Sequence, residues 1–306
     1  MVNFNSRLKD TRLHKFLLIG LFFSLVASCS GEKIDNGQVF RMPISNEPPT
    51  LDWSLATDSV SFDILTNIME GLTQYDSNME PVPAIAKRWE ISKNGKTITY
   101  YLRDDVFWTD GKPVTAHDFE YSWKRLLNPA TAAQYAYFLF DVENAQEFNS
   151  GKISDPSKVG VSAKTDHILE VRLKKPVVYF PSITTFMVTF PQRKDIVEKF
   201  GDHWTDPENI VTNGPFKLSA WEHEYKLILT ANENFYEGRP PLDTILAYVI
   251  REKTTALTLY ETGELEMVEL PPVAIPHFKN HDEYENLPQL RGYYYGINVL
   301  KPPFDN

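Results

Sequence analysis

The chain has 306 residues and a formal net charge of −10, from 31 Lys+Arg against 41 Asp+Glu. That length holds two lobes of about 100–200 residues each, and an acidic balance without clustered cations excludes a nucleic-acid-binding face. Its single cysteine, Cys29, excludes an internal disulfide and a multi-cysteine metal site, so apolar burial has to hold the fold together.

The first predicted element is a targeting segment. Arg7, Lys9, Arg12 and Lys15 precede an uncharged, apolar stretch over 16–26 (FLLIGLFFSLV), followed by Ala27, Ser28 and Cys29. Eleven residues are too few to cross a bilayer as a helix, which takes about 20. They fit the apolar core of a signal peptide over residues 1–28. Val26-Ala27-Ser28-Cys29 resembles the bacterial lipobox, in which cleavage leaves Cys29 as a lipidated N-terminus; an ordinary signal peptide with an incidental cysteine is the alternative. Removing the leader's four cations and one anion takes the formal charge from −10 to −13 for the remaining residues. The polar residues that follow, 30–38, predict a flexible tether, placed at 29–36 in the domain division.

Order is expected from a short strand at 39–42, broken by Glu47-Pro48-Pro49. From Ser61 the apolar residues Phe62, Leu65, Ile68, Met69 and Leu72 recur at helical spacing. Asp58, Ser59 and Ser61 are all competent N-caps for that helix, and Gly71 is placed to end it with a left-handed cap. Strands at 89–92 and 96–102 flank Asn94-Gly95, a hairpin signal in which both turn positions take positive φ. Ile98, Tyr100 and Leu102 should share one face of the second strand. A strand at 106–108 and a turn at Asp110-Gly111 come next. Thr115, with Asp118 three residues on, opens a helix that buries Phe119, Ser122, Trp123, Leu126 and Leu127 and stops before Asn128-Pro129. Further strands are expected at 168–173, 225–230, 244–250, 265–269 and 291–299, with a helix over 254–262 that ends at Gly263. Without a regular βαβ rhythm, the class is mixed α/β, or α+β.

The segment from Glu70 to Leu127 carries a family pattern: Glu70-Gly71-Leu72, Tyr75-Asp76, Pro83-Ala84-Ile85-Ala86, Trp89-Glu90, Trp108-Thr109-Asp110-Gly111 and Asp118-Phe119. Further blocks are Asn213-Gly214-Pro215-Phe216, Gly263-Glu264-Leu265 and Tyr293-Tyr294-Tyr295. Together they resemble the bacterial extracytoplasmic solute-binding proteins of family 5, the oligopeptide- and dipeptide-binding subunits of peptide ABC transporters. The resemblance implies a multi-lobe, periplasmic-binding-protein-like type II fold. It places lobe I at 37–70 and 190–290, lobe II at 71–189 and the start of a truncated lobe III at 291–306. It further implies a monomeric receptor in the cell envelope, periplasmic or extracytoplasmic. Such a receptor takes a short peptide as ligand, and permease and ATPase subunits as partners. A murein peptide, a nickel chelate, haem or a signalling peptide remains open as ligand, as does a non-functional fragment.

The same resemblance carries ligand contacts onto Thr57, Asp58 and Ser59, where an extended loop pairs with the peptide main chain, and onto Tyr135 and Tyr294. Gly296 stands where oligopeptide binders often have glutamate. For each position a plainer role competes: Asp58 and Ser59 as helix caps, Tyr135 as a core residue. No catalytic constellation, cofactor motif or metal site is predicted, although a secreted hydrolase stays as a low-ranked alternative. His277 and His281 have metal-ligand spacing but no adjacent glutamate, and the other histidines are scattered without evident partners. The six tryptophans are expected mostly in the core.

Overall fold

A computed structural model of the chain describes residues 38–287 and 295–305. In chain order these residues form β1 (Val39–Ile44), α1 (Ser59–Ile68), β2 (Thr73–Tyr75), β3 (Pro81–Pro83), β4 (Ala86–Ile91) and β5 (Thr97–Leu102). There follow α2 (Ala116–Leu127), α3 (Ala145–Asn149), β6 (Val161–Thr165), β7 (Ile168–Arg172), α4 (Phe180–Ile183) and α5 (Lys194–Phe200). The remaining elements are β8 (Phe216–Glu222), β9 (Lys226–Ala231), β10 (Thr244–Val249), α6 (Lys253–Glu261) and α7 (Ile275–Phe278). The class is mixed α/β.

Two four-stranded sheets organise the molecule. The contiguous sheet, ordered β4-β5-β7-β6, is antiparallel throughout and draws on one stretch of chain. The split sheet, ordered β1-β10-β9-β8, joins two distant stretches: β1 runs parallel to β10, from Val39 opposite Thr244 to Ile44 opposite Val249. Its other pairs are antiparallel. Strand alternation follows the pleat. Ile98, Tyr100 and Leu102 of β5 are buried while Thr97, Thr99 and Tyr101 are half-buried, and Leu227, Leu229 and Ala231 of β9 repeat the pattern.

The helix α2 covers β6 and β7 of the contiguous sheet. Its apolar stripe (Phe119, Trp123, Leu126 and Leu127) is fully buried, each side chain contributing roughly 1.5–3 kcal/mol. The polar atoms on that face are all paired. Trp123 donates to the Thr189 carbonyl at 2.7 Å, and the Ser122 hydroxyl to the Phe190 carbonyl at 2.6 Å. At its N-terminus the Asp118 carboxylate accepts from the Thr115 N–H at 2.8 Å and from the Thr115 hydroxyl at 3.1 Å. Asn128, extended before Pro129, ends the helix. Most of the buried apolar side chains of both sheets and of α1 and α2 belong to one hydrophobic cluster.

Several sequence expectations are corrected. Gly71 does not provide a left-handed cap: α1 ends at Ile68 with an extended Met69. The glycine is required for close approach, because a Cβ there would lie 2.5 Å from the Phe190 ring and 2.8 Å from the Thr184 carbonyl. In the β4–β5 turn only Gly95 has positive φ, 69°. Asn94 contributes its side chain instead, accepting from the Lys96 N–H at 3.0 Å. Residues 106–108 form only an isolated pairing of Phe107 with Pro113. No strand forms at 265–269. Glu266 donates its N–H to the Arg41 carbonyl, but its carboxylate takes the Arg41 N–H, which leaves no ladder to propagate. Of 291–299, residues 291–294 lie outside the described residues and 295–298 form no strand. Strands β2, β3, β6 and β8 were not expected. Trp53, Trp108, Trp123 and Trp204 are buried, as expected for core residues.

Candidate ligand-binding site

The loop between β1 and α1 is built on a buried carboxylate. The Asp52 side chain accepts from Arg125 of α2 at 2.5 and 2.9 Å, from the Trp204 indole at 3.2 Å and from the Ser54 N–H at 3.0 Å. Its carbonyl accepts the Leu55 and Ala56 N–H groups at 2.8 Å, which folds 52–56 into a tight turn. An ion pair this deep costs desolvation and is sustained by its extra hydrogen bonds. It anchors one end of the loop, so that 57–59 leave the turn in a fixed direction.

Asp58 caps the other end. Its carboxylate accepts from the Ser61 N–H at 2.9 Å and from the Ser61 hydroxyl at 2.7 Å, the role in which a carboxylate satisfies an otherwise unpaired first-turn donor. Tyr135 lies on a 3-10 turn, Gln134–Leu139, and its hydroxyl donates to the Thr57 carbonyl at 3.2 Å. The structure therefore brings Thr57, Asp58, Ser59 and Tyr135 together. Among the described residues the backbone N–H groups of Thr57, Asp58 and Ser59 make no hydrogen bond. The Thr57 carbonyl is occupied by Tyr135 and the Asp58 carbonyl by the Phe62 N–H. What this loop offers is thus a short row of donors.

Beside it stands an aromatic group. Tyr135 packs on Phe138 and Phe186 at centroid distances of 5.5 and 5.9 Å, and Phe62 of α1 packs on Phe186 at 5.4 Å. Tyr137 stacks on Phe138 at 4.7 Å and is 53% exposed. Phe62 is read from sequence only as a helix residue, and Tyr137, Phe138 and Phe186 are not read as site residues at all. The density of aromatics in QYAYFLF, residues 134–140, is the signal that points to Tyr137 and Phe138.

Other candidates fall elsewhere. Cys29 and Tyr294 lie outside the described residues. Gly296 is described, with no strand around it. His277 and His281 pack ring against ring at 5.7 Å, and no group of three metal-type side chains exists among the described residues. Three histidines do have partners, contrary to the sequence reading: His117 with Asp166, His203 with Asp206 and His223 with Glu47. Each pair is exposed on the histidine side. No helix among the described residues is long and apolar enough to cross a membrane.

The chain is similar to known proteins over most of its length. The family described as bacterial extracellular solute-binding proteins, family 5 (middle), matches residues 80–306. The dipeptide-binding protein DppE of Bacillus subtilis is 33% identical over 303 residues, covering 95% of this chain and 55% of that protein. The oligopeptide-binding protein OppA of the same organism is 35% identical over 304 residues, covering 94% and 56%. Among solved structures, a periplasmic oligopeptide-binding protein (OppAIV) from Borrelia burgdorferi superposes with a TM-score of 0.81 at 32% identity, over 88% of this chain and 55% of that one. The chain spans about half the length of the relatives it matches. With a fold, a length of match and an identity all pointing the same way, this chain belongs to the bacterial extracellular solute-binding proteins of family 5.

Proposed function

We propose that the chain is the substrate-binding component of an ABC importer, capturing oligopeptides outside the cytoplasmic membrane and delivering them to a permease. It acts by binding and not by catalysis. The observation that carries this reading is the donor row at Thr57, Asp58 and Ser59. Main-chain donors held in a fixed direction pair with peptide carbonyls whatever the side chains are, which is how one site accepts many sequences. Tyr135 fixes the row by holding the Thr57 carbonyl, and the exposed Tyr137 ring offers an apolar surface next to it.

The division into lobe I (37–70 and 190–290), lobe II (71–189) and the start of a third lobe at 291–306 belongs to the same proposal. Support comes from the sheets: the split sheet uses both passes assigned to lobe I, and the contiguous sheet falls wholly within lobe II. Tyr294 is proposed as a contact on the crossing to the third lobe, and Cys29 as the lipid-bearing residue that keeps the receptor at the membrane. Mass spectrometry of protein from its native host should find a lipidated Cys29 at the N-terminus; an unmodified or internal Cys29 removes the anchor from this reading.

The binding site is tested by NMR on protein labelled with ¹⁵N at Ser, Thr and Asp, titrated with a library of di- to pentapeptides. The Thr57, Asp58 and Ser59 N–H signals should move, and by similar amounts for peptides of unrelated side chains. Ser59→Pro removes one donor at the first helical position, where proline is tolerated. It should weaken binding by about 2–10-fold, the worth of one hydrogen bond. Unmoved signals at millimolar peptide would overturn the assignment of the site.

A further inference from the structure

The chain passes between the regions of the two sheets at residues 69–72, and a group of ionisable side chains closes around that passage. Asn213 clamps the Glu70 backbone, its side-chain oxygen accepting from the Glu70 N–H at 2.9 Å and its amide donating to the Glu70 carbonyl at 3.4 Å. Gly214 lies against the backbone of Ile68 and Met69, where a Cβ would come within 2.5 Å of Ile68, and donates its N–H to the Ile68 carbonyl at 2.9 Å. Arg103, immediately after β5 of the contiguous sheet, donates to the Ala84 carbonyl at 2.8 Å and sits 4.8 Å above the ring of Tyr236. Tyr236 follows β9 of the split sheet. The Arg103–Tyr236 contact is thus a direct tie from one sheet's chain segment to the other's, and the Glu70 side chain stands beside both.

Two atoms of this group, Glu70 Oε2 and the Tyr236 hydroxyl, are buried, and neither has a partner beyond the other. A buried carboxyl and a buried hydroxyl that have only each other as partners call for an explanation. We propose that Glu70, Tyr236 and Arg103 form a proton-operated latch across the junction of the two sheets, closed when Glu70 is neutral and loosened when it ionises. A neutral carboxyl sits at low cost in this interior, whereas a carboxylate there must draw in solvent or pull Arg103 off the tyrosine ring. The charged and titratable groups facing Glu70 are Tyr236, Glu237 and Arg103. Burial outweighs the opposing influence of Tyr236 and Arg103 and, with Glu237 adding to it, raises the Glu70 pKa to about 7. A carboxyl raised in this way contributes stability that is complete below its unfolded-state value and is lost as pH rises through the folded one. The working window is therefore about pH 5–8, and the folding equilibrium should shift by up to about a hundredfold across it.

The latch can be detected without a ligand. Amide hydrogen exchange of the full chain, corrected for the intrinsic rate at each pH, is followed by mass spectrometry in peptides covering 68–72, 84–86, 101–104 and 232–237. Exchange there should rise at least tenfold between pH 5.5 and 8, and peptides from the interior of α2 should change less. Glu70→Gln, which stays neutral, should abolish the rise and leave the junction protected at pH 8. Tyr236→Phe should move the midpoint while leaving a rise in place. A flat wild-type profile, or the same pH slope in Glu70→Gln as in wild type, would overturn the latch.

Discussion

The two sheets have the same number of strands and are closed in opposite ways. The contiguous sheet is completed within residues 86–172: β4–β5 and β6–β7 are hairpins, and β5 reaches β7 across the excursion that carries α2, which roofs the sheet. The split sheet is completed only when β1 reaches β10, and its outer seam is finished by side chains: Asp243 accepts the Gln38 N–H at 2.6 Å, and Glu266 pairs with Arg41. The longest loop closed within the contiguous sheet, between β5 and β7, is about a third the length of the one between β1 and β10, so the split sheet meets the larger closure cost, by about 1 kcal/mol, before its first β1 hydrogen bond forms. The expected consequence is that the contiguous sheet resists local opening and the β1 seam frays first.

The sharpest way to break that contrast is Trp123→Ala. The indole is fully buried over the contiguous sheet and loses both its packing and its bond to Thr189, so a cost of about 4 kcal/mol is expected. Urea unfolding gives the total, and hydrogen exchange should place the loss of protection in β5–β7 before β8–β10. Equal loss in both sheets would mean that they open as one unit. Arg125→Ala comes next. It leaves the Asp52 carboxylate buried without its cation, for about 3 kcal/mol, and cuts the tie between α2 and the loop after β1. Its unfolding curve should broaden or split as the sheets uncouple; a single sharp transition would count against separate behaviour. Thr115→Ala removes a capping partner of α2 and should cost about 1 kcal/mol, felt only in the contiguous sheet. Arg41→Ala breaks an exposed ion pair worth about 0.5 kcal/mol. Its interest lies in place more than size, since exchange at β1 should quicken with little change in the urea midpoint.

The contiguous sheet was also the easier one to read from sequence. Its central hairpin follows from Asn94-Gly95 and strict alternation, and α2 from a 3.6-residue apolar period with a capping pair and a terminal Asn-Pro. All of these are local signals, and here they agree with the tertiary setting. The split sheet was legible strand by strand at β1, β9 and β10, but not as a sheet, because nothing in residues 39–44 says that their partner is 244–249. The errors have the same origin. Gly71 was given a helix-ending role when its real constraint is a distant ring, Phe190. Residues 265–269 look like a strand in isolation, but the Glu266 carboxylate takes the Arg41 N–H that a ladder would use. At the candidate site the resemblance named Thr57, Asp58, Ser59 and Tyr135, and the capping competence of Asp58 could be read directly. The Tyr135–Thr57 bond, the Asp52–Arg125 pair beneath the loop and the aromatic neighbours Phe62 and Phe186 could not. Each joins residues far apart in sequence whose types alone carry no address.

The parallel pairing of β1 with β10 also sets a timetable. Synthesis adds residues from the N-terminus at about 5–20 per second, so roughly 200 residues separate the appearance of β1 from that of its partner, a wait of some tens of seconds. During that interval the contiguous sheet has everything it needs to fold, while Val39, Phe40, Met42 and Ile44 form a strand with nothing to pair against. An unpaired apolar edge is what aggregation and chaperones both recognise. The first strand to be made is among the last to be secured.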